Sequence, residues 1–156
     1  MTGILRRCAA LLSSAALVGA MVSAPAAAED FSRVNGTPVH GVPVVLDTGE
    51  EAPTALYGLR VGEHGSVHAY AASTDHEVQG NSAYVESGWD GVEGWSGTAQ
   101  ETDPSDRANW IVSNSYPNVP LAELAREADL PHLDEAEAVA ATQSALWRVL
   151  DGVELS

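Results

Sequence analysis

Gln143 is the residue in this chain whose type and setting raise a chemical question. Val139, Gln143, Leu146 and Leu150 fall at i, i+4, i+7 and i+11, the spacing of a single buried helical face. A primary amide therefore stands in an apolar stripe. It can be a core amide whose hydrogen bonds are satisfied, or its side-chain carbonyl can be there to be attacked. Other chemistry is poorly supplied. His40, His64, His68, His76 and His132 form no H-E-x-x-H or H-x-H pattern, so they read as solvated loop residues and not as metal ligands. Asp103, Asp106, Asp134, Glu135 and Glu137 gather at helix starts, where carboxylates favour the helix dipole. No D-x-D-x-D-G calcium loop and no G-x-S-x-G nucleophile elbow occurs. No metal, cofactor or catalytic set is expected.

Five segments carry a resemblance. Ala141-Thr142-Gln143-Ser144-Ala145-Leu146-Trp147 resembles the T-Q-x-A signature of the Cys-Gln thioester domains of Gram-positive, especially actinobacterial, surface proteins. His68-Ala69-Tyr70-Ala71 stands where that family has a Tyr-Cys pair. Tyr84-Val85-Glu86-Ser87-Gly88-Trp89 is similar to its Y-x-E-x-x-W element, and residues 107–117 resemble its W-I-(L/V)-x-N-x-Y-P helix end. Residues 147–155 resemble the end of the thioester helix with its Asp-Gly exit. The likeness covers most of the chain from about Gly36 onward.

The resemblance implies a role for two positions. In the family, a cysteine thiol condenses with the glutamine amide, expels ammonia and leaves an internal thioester, a stored electrophile for amines or hydroxyls on a surface ligand. Gln143 matches the acyl residue, and Ala71 stands at the cysteine position. Tyr70, Thr142, Ala145, Trp147, Tyr84, Glu86 and Trp89 are the matching motif neighbours. Alanine offers no nucleophilic atom, so this chain is expected to have the scaffold of the bond and not the bond. The implied role is covalent adhesion to a protein or glycan ligand, consumed on reaction, so no turnover enzyme is expected. A noncovalent binding module using the same groove, with Trp95 or Tyr84 as contacts, and a vestigial structural fragment are the alternatives.

The elements that must position these residues can be read along the chain. Asp134 and Glu137 form a capping box for a helix over residues 134–150. Asp103-Pro104 opens an earlier helix, with proline at its first position, running to about Tyr116 and stopped by Pro117; residues 119–128 form a shorter one. Residues 55–61 and 66–72 read as strands joined by a turn at Gly62-Glu63-His64-Gly65. In the second, Val67, Ala69 and Ala71 share one face, His68 and Tyr70 the other. That alternation would turn Ala71 toward the buried glutamine. Residues 37–46, interrupted by Pro38 and Pro43, read as an edge strand, and residues 74–102 as loops with short extended pieces. Trp110 and Trp147 are expected in the core and Trp95 exposed. Strands followed by helices give an α+β domain, a β-rich N-terminal part packed against helices.

Residues 1–28 stand apart: Arg6 and Arg7 precede an apolar, alanine-rich run, and Ala26-Ala27-Ala28 offers a signal-peptidase site. Cleavage would remove Cys8, the single cysteine, leaving a secreted chain without disulfide or thiolate metal site. The division expected is a signal peptide over residues 1–28, a loose terminus over 29–36 and a thioester-domain-like module over 37–156, truncated relative to the family and with no anchor seen. Net charge is −15 for the full chain and about −17 without Arg6 and Arg7. With no basic footprint, neither a nucleic-acid partner nor an anionic lipid surface is expected. Beyond the leader no segment is expected to enter a membrane.

Overall fold

The computed structural model describes residues 32–62, 65–75, 78–80, 82–85 and 104–156. The leader, the turn residues Glu63 and His64, His76, Glu86, Trp89, Trp95 and Asp103 lie outside the described residues. Among those described, the chain order is β1 (Ser32–Val34), β2 (Val39–His40), β3 (Val44–Val45), β4 (Glu51–Ala52), β5 (Ala55–Val61), β6 (Gly65–Ala69), β7 (Ala83–Tyr84), α1 (Pro104–Ser113), α2 (Leu121–Glu127) and α3 (Glu135–Leu150). The fold is α+β, with antiparallel sheets and three helices.

β5 is the spine of the larger sheet. Ala55, Leu56 and Leu59 are buried along it. β6 folds back along one edge, from Tyr57 opposite Ala69 to Val61 opposite Gly65. The other edge is shared by β1 and β2. Val34 faces Leu59 and Val39 faces Leu56, so five steps on one strand match three on the other. The surplus bulges at Gly36, which adopts φ +81°, a conformation that favours glycine. β7 pairs with the outer edge of β1. Residues 32–34, expected in a loose terminus, are thus an internal strand, and Ser32 is buried. Pairing on both edges, not local propensity, makes this strand. As Pro38 and Pro43 suggest, residues 37–46 are broken: β2 joins β5, while β3 pairs with β4 in a second small sheet that also bridges Leu46 to Leu155.

Helix α3 has the capping box its sequence announces: the Asp134 carboxylate accepts from the Glu137 amide at 2.8 Å, and the Glu137 carboxylate accepts from the Asp134 amide at 3.0 Å. Its buried surface is wider than one stripe. Val139 and Leu146 pack with Leu56, Tyr70 and Ala108, while Trp147 packs on Leu46 and Ala52 of the small sheet. A third cluster, Leu59, Ala69 and Tyr84, involves β5, β6 and β7. α1 buries Ser105 and Ala108 and ends at Ser113, short of Tyr116. There the Asn114 amide shares the carbonyls of Trp110 and Ile111, and its side chain also donates to Trp110.

Trp110, expected in the core, is 67% exposed. It follows the buried Ala108 by two residues, about 200° around the helix, and position outweighs residue type. Trp147 is buried as expected.

Candidate functional site

α3 and the segment leaving β6 bring Gln143 and residue 71 together. The glutamine is 1% exposed, and its Nε2 donates to the main-chain carbonyl of Ala71 at 2.6 Å. The expected alternation is kept, with Val67 and Ala69 on one side and Tyr70 on the other, but the side that meets α3 is that of Tyr70 and not that of Ala69. β6 ends at Ala69, which packs with Leu59 and Tyr84, whereas Tyr70 joins the helix-facing cluster with Val139 and Leu146. The chain leaves the sheet there, and Gln143 meets the backbone of Ala71, which is half-buried.

Tyr70 anchors one side of this contact. Its hydroxyl donates to the Tyr116 carbonyl at 2.9 Å. Burial holds its ionisation well above the ordinary phenol range, opposed by a hydrogen bond with Thr142 and reinforced by Tyr116. It is a neutral packing group, not a base. Thr142 returns its own proton to the Ala138 carbonyl at 2.9 Å, and Ser144 does the same to Ala140 at 2.7 Å, which satisfies two buried hydroxyls inside the helix. Tyr116 donates to Glu135, which, with burial, raises its ionisation too.

The other side is held by Asp151, the residue closing α3. Its Oδ2 accepts from the Thr74 amide at 2.9 Å, the Thr74 hydroxyl at 2.8 Å and the Ser73 hydroxyl at 3.2 Å. The two aliphatic hydroxyls nearest in sequence to residue 71 are therefore engaged with a carboxylate. Sequence reading missed this contact, since 77 and 78 residues separate the partners and only the Asp-Gly exit marked the position.

The remaining motif residues lie elsewhere. Trp147 sits in the small-sheet cluster, and its indole nitrogen is the buried side-chain polar atom without a partner among the described residues. Ala145 is half-buried. Tyr84 packs with Leu59 and Ala69 and locks the turn before it, accepting from the Gln79 amide and donating to the Gln79 carbonyl, both at 2.9 Å. Glu86 and Trp89 lie outside the described residues. His40, His68 and His132 are exposed, and no cluster that could hold a metal ion occurs among the described residues. No described helix is long and apolar enough to cross a membrane.

Chemically, the arrangement is a primary amide held, out of water, against the main chain of one specified residue. The Cβ of residue 71 hangs from the carbon next to the carbonyl that Gln143 grips, so a side-chain nucleophile there would start beside the amide. The thioester domain family model matches residues 61–156, and the chain belongs to that family. Both Ala71 and Gln143 lie within the match, which begins at the last residue of β5. No significant match was found among curated proteins or solved structures.

Proposed function

We propose that this thioester-domain chain is a secreted or cell-surface adhesion module of a Gram-positive, actinobacterial type in which residue 71 occupies the place of the thioester cysteine, so that Gln143 remains an amide. The contact from Gln143 Nε2 to the Ala71 carbonyl carries this reading. A thiol at position 71 would begin within reach of the Gln143 carbonyl; a methyl group there cannot attack. Among the described residues, the hydroxyls near residue 71 are each bonded to a partner other than Gln143. The Ser73 and Thr74 hydroxyls are directed to Asp151, and the Tyr70 hydroxyl to the Tyr116 carbonyl.

On this reading the leader over residues 1–28 directs export, and the module meets a protein or glycan ligand without bonding to it. It is no turnover enzyme, because the family's bond is spent when it reacts. For noncovalent recognition the structure offers Trp110, whose ring is exposed on α1, a residue type enriched at interfaces. The test is binding of the chain without residues 1–28 to immobilised cell-surface glycans and proteins, followed by washing in denaturant. Retention that is lost on denaturation supports the proposal. An adduct that survives denaturation overturns it.

A further inference from the structure

We propose that Asp151 is a positioning residue: it fixes the segment 71–74 along the C-terminal half of α3 and thereby sets residue 71 against Gln143. The proposal rests on the reading of residue 71 as the nucleophile position. Three donors converge on one oxygen of Asp151, from the Thr74 amide and from the hydroxyls of Thr74 and Ser73. The Asp151 amide in turn closes α3 on the Trp147 carbonyl at 2.8 Å, so the carboxylate is tied to the helix by its own backbone.

The spans explain why this matters at residue 71. From Gln143 to Asp151 is eight residues of helix, about 12 Å of rise. From residue 71 to Thr74 is three residues, which reach about 10 Å when fully extended. The segment is therefore gripped at both ends, by Gln143 at residue 71 and by Asp151 at Thr74, with little slack between. Residue 71 cannot slide along the helix while both grips hold. Helix stability does not account for the carboxylate, because the C-terminal end of a helix disfavours negative charge. Nor does burial, since these hydrogen bonds are exposed.

In an Ala71→Cys chain the step to be positioned is explicit. The introduced thiolate sulfur attacks the Gln143 side-chain carbonyl carbon, a C–S bond forms, the C–N bond breaks, and the nitrogen leaves as ammonia with the thiol proton. Misplacement by about an ångström can cost such an intramolecular step up to about a hundredfold.

The test has two readouts. In the native chain, Asp151→Ala should speed hydrogen exchange of the Thr74 amide by about tenfold or more, whereas Asp151→Asn, which keeps an acceptor oxygen, should stay close to the parent. In the Ala71→Cys background, refolded from denaturant and followed by mass, Asp151→Ala should slow ammonia loss by about tenfold, and Asp151→Asn should restore most of the rate. Asp134→Ala, which removes the cap at the far end of α3, is the control for a general loss of stability and should leave the rate unchanged. Unchanged Thr74 exchange, or equal closing rates with and without Asp151, overturns the proposal, as does equal slowing by Asp134→Ala. If Ala71→Cys loses no ammonia at all, the reading of residue 71 has failed, and the grip on the segment is judged by Thr74 exchange alone.

Discussion

Tyr70 ties together the packing and the chemistry of the site at the scale of single residues. Its ring fills the cluster against Val139 and Leu146, and its hydroxyl is committed to the Tyr116 carbonyl. Removing that hydroxyl in Tyr70→Phe should cost about 1 kcal/mol near neutral pH, read from denaturant unfolding. The pH dependence follows from the raised ionisation of the same group, whose ordinary value is 10.0. The unfolded phenol ionises near its ordinary value and the folded one above it. The stabilisation is therefore complete below that value and is lost as pH climbs toward the folded one. Tyr116, raised chiefly by its bond to Glu135, adds to the loss in the same direction. Unfolding curves taken across the alkaline range should show stability falling above about pH 10, with a shallower fall in Tyr70→Phe; identical slopes would contradict the buried phenol. The type and spacing of Gln143 were legible in the sequence because helical periodicity is local. Which side of β6 meets α3 was not, because alternation separates Ala69 from Tyr70 without saying which of the two faces the helix covers.

At the scale of elements, Gly41, just after β2, lies close against the first turns of α3. Its amide donates to the Thr54 carbonyl at 2.9 Å and the next amide, of Val42, to the Ala136 carbonyl at 3.2 Å. A Cβ at Gly41 would collide with the Thr54 hydroxyl and stand 2.9 Å from the Ala140 nitrogen and 3.0 Å from the Ala136 oxygen. Two of these neighbours are helix backbone and cannot move alone. Gly41→Ala should therefore destabilise by about 1–3 kcal/mol, measured by thermal or denaturant unfolding, with the largest rise in amide exchange on β2 and the first turns of α3. Elements with strong local signals were readable in advance. β5 spans the expected residues 55–61, and α3 begins one residue after its Asp134 cap. β1 was not readable, since three residues containing Arg33 gain their order from partners on both sides. The same holds for the grip of Asp151 on Ser73 and Thr74, in which two distant loops meet.

For the whole molecule, charge is the property that composition fixes most firmly. There are 22 acidic residues against seven arginines and no lysine, a net charge of −15. Among the described residues, the ion pairs of Arg126 with Glu123 and of Arg148 with Glu154 are exposed and worth little each. Uncompensated self-repulsion should dominate, so raising sodium chloride from about 20 mM to about 500 mM should raise the melting temperature by a few degrees. A fall with added salt would mean that attractive pairs outweigh repulsion.

The central claim is that Gln143 is an amide poised against position 71 and left unreacted for want of a thiol there. Intact-mass spectrometry of the folded chain and of Ala71→Cys tests it directly. The account predicts that the native chain has the mass of its unmodified sequence, and that Ala71→Cys is lighter by about 17 Da, the mass of ammonia, with the new bond mapping to Gln143. A deficit of that size at Gln143 in the native chain, or none in a folded Ala71→Cys chain, would contradict it.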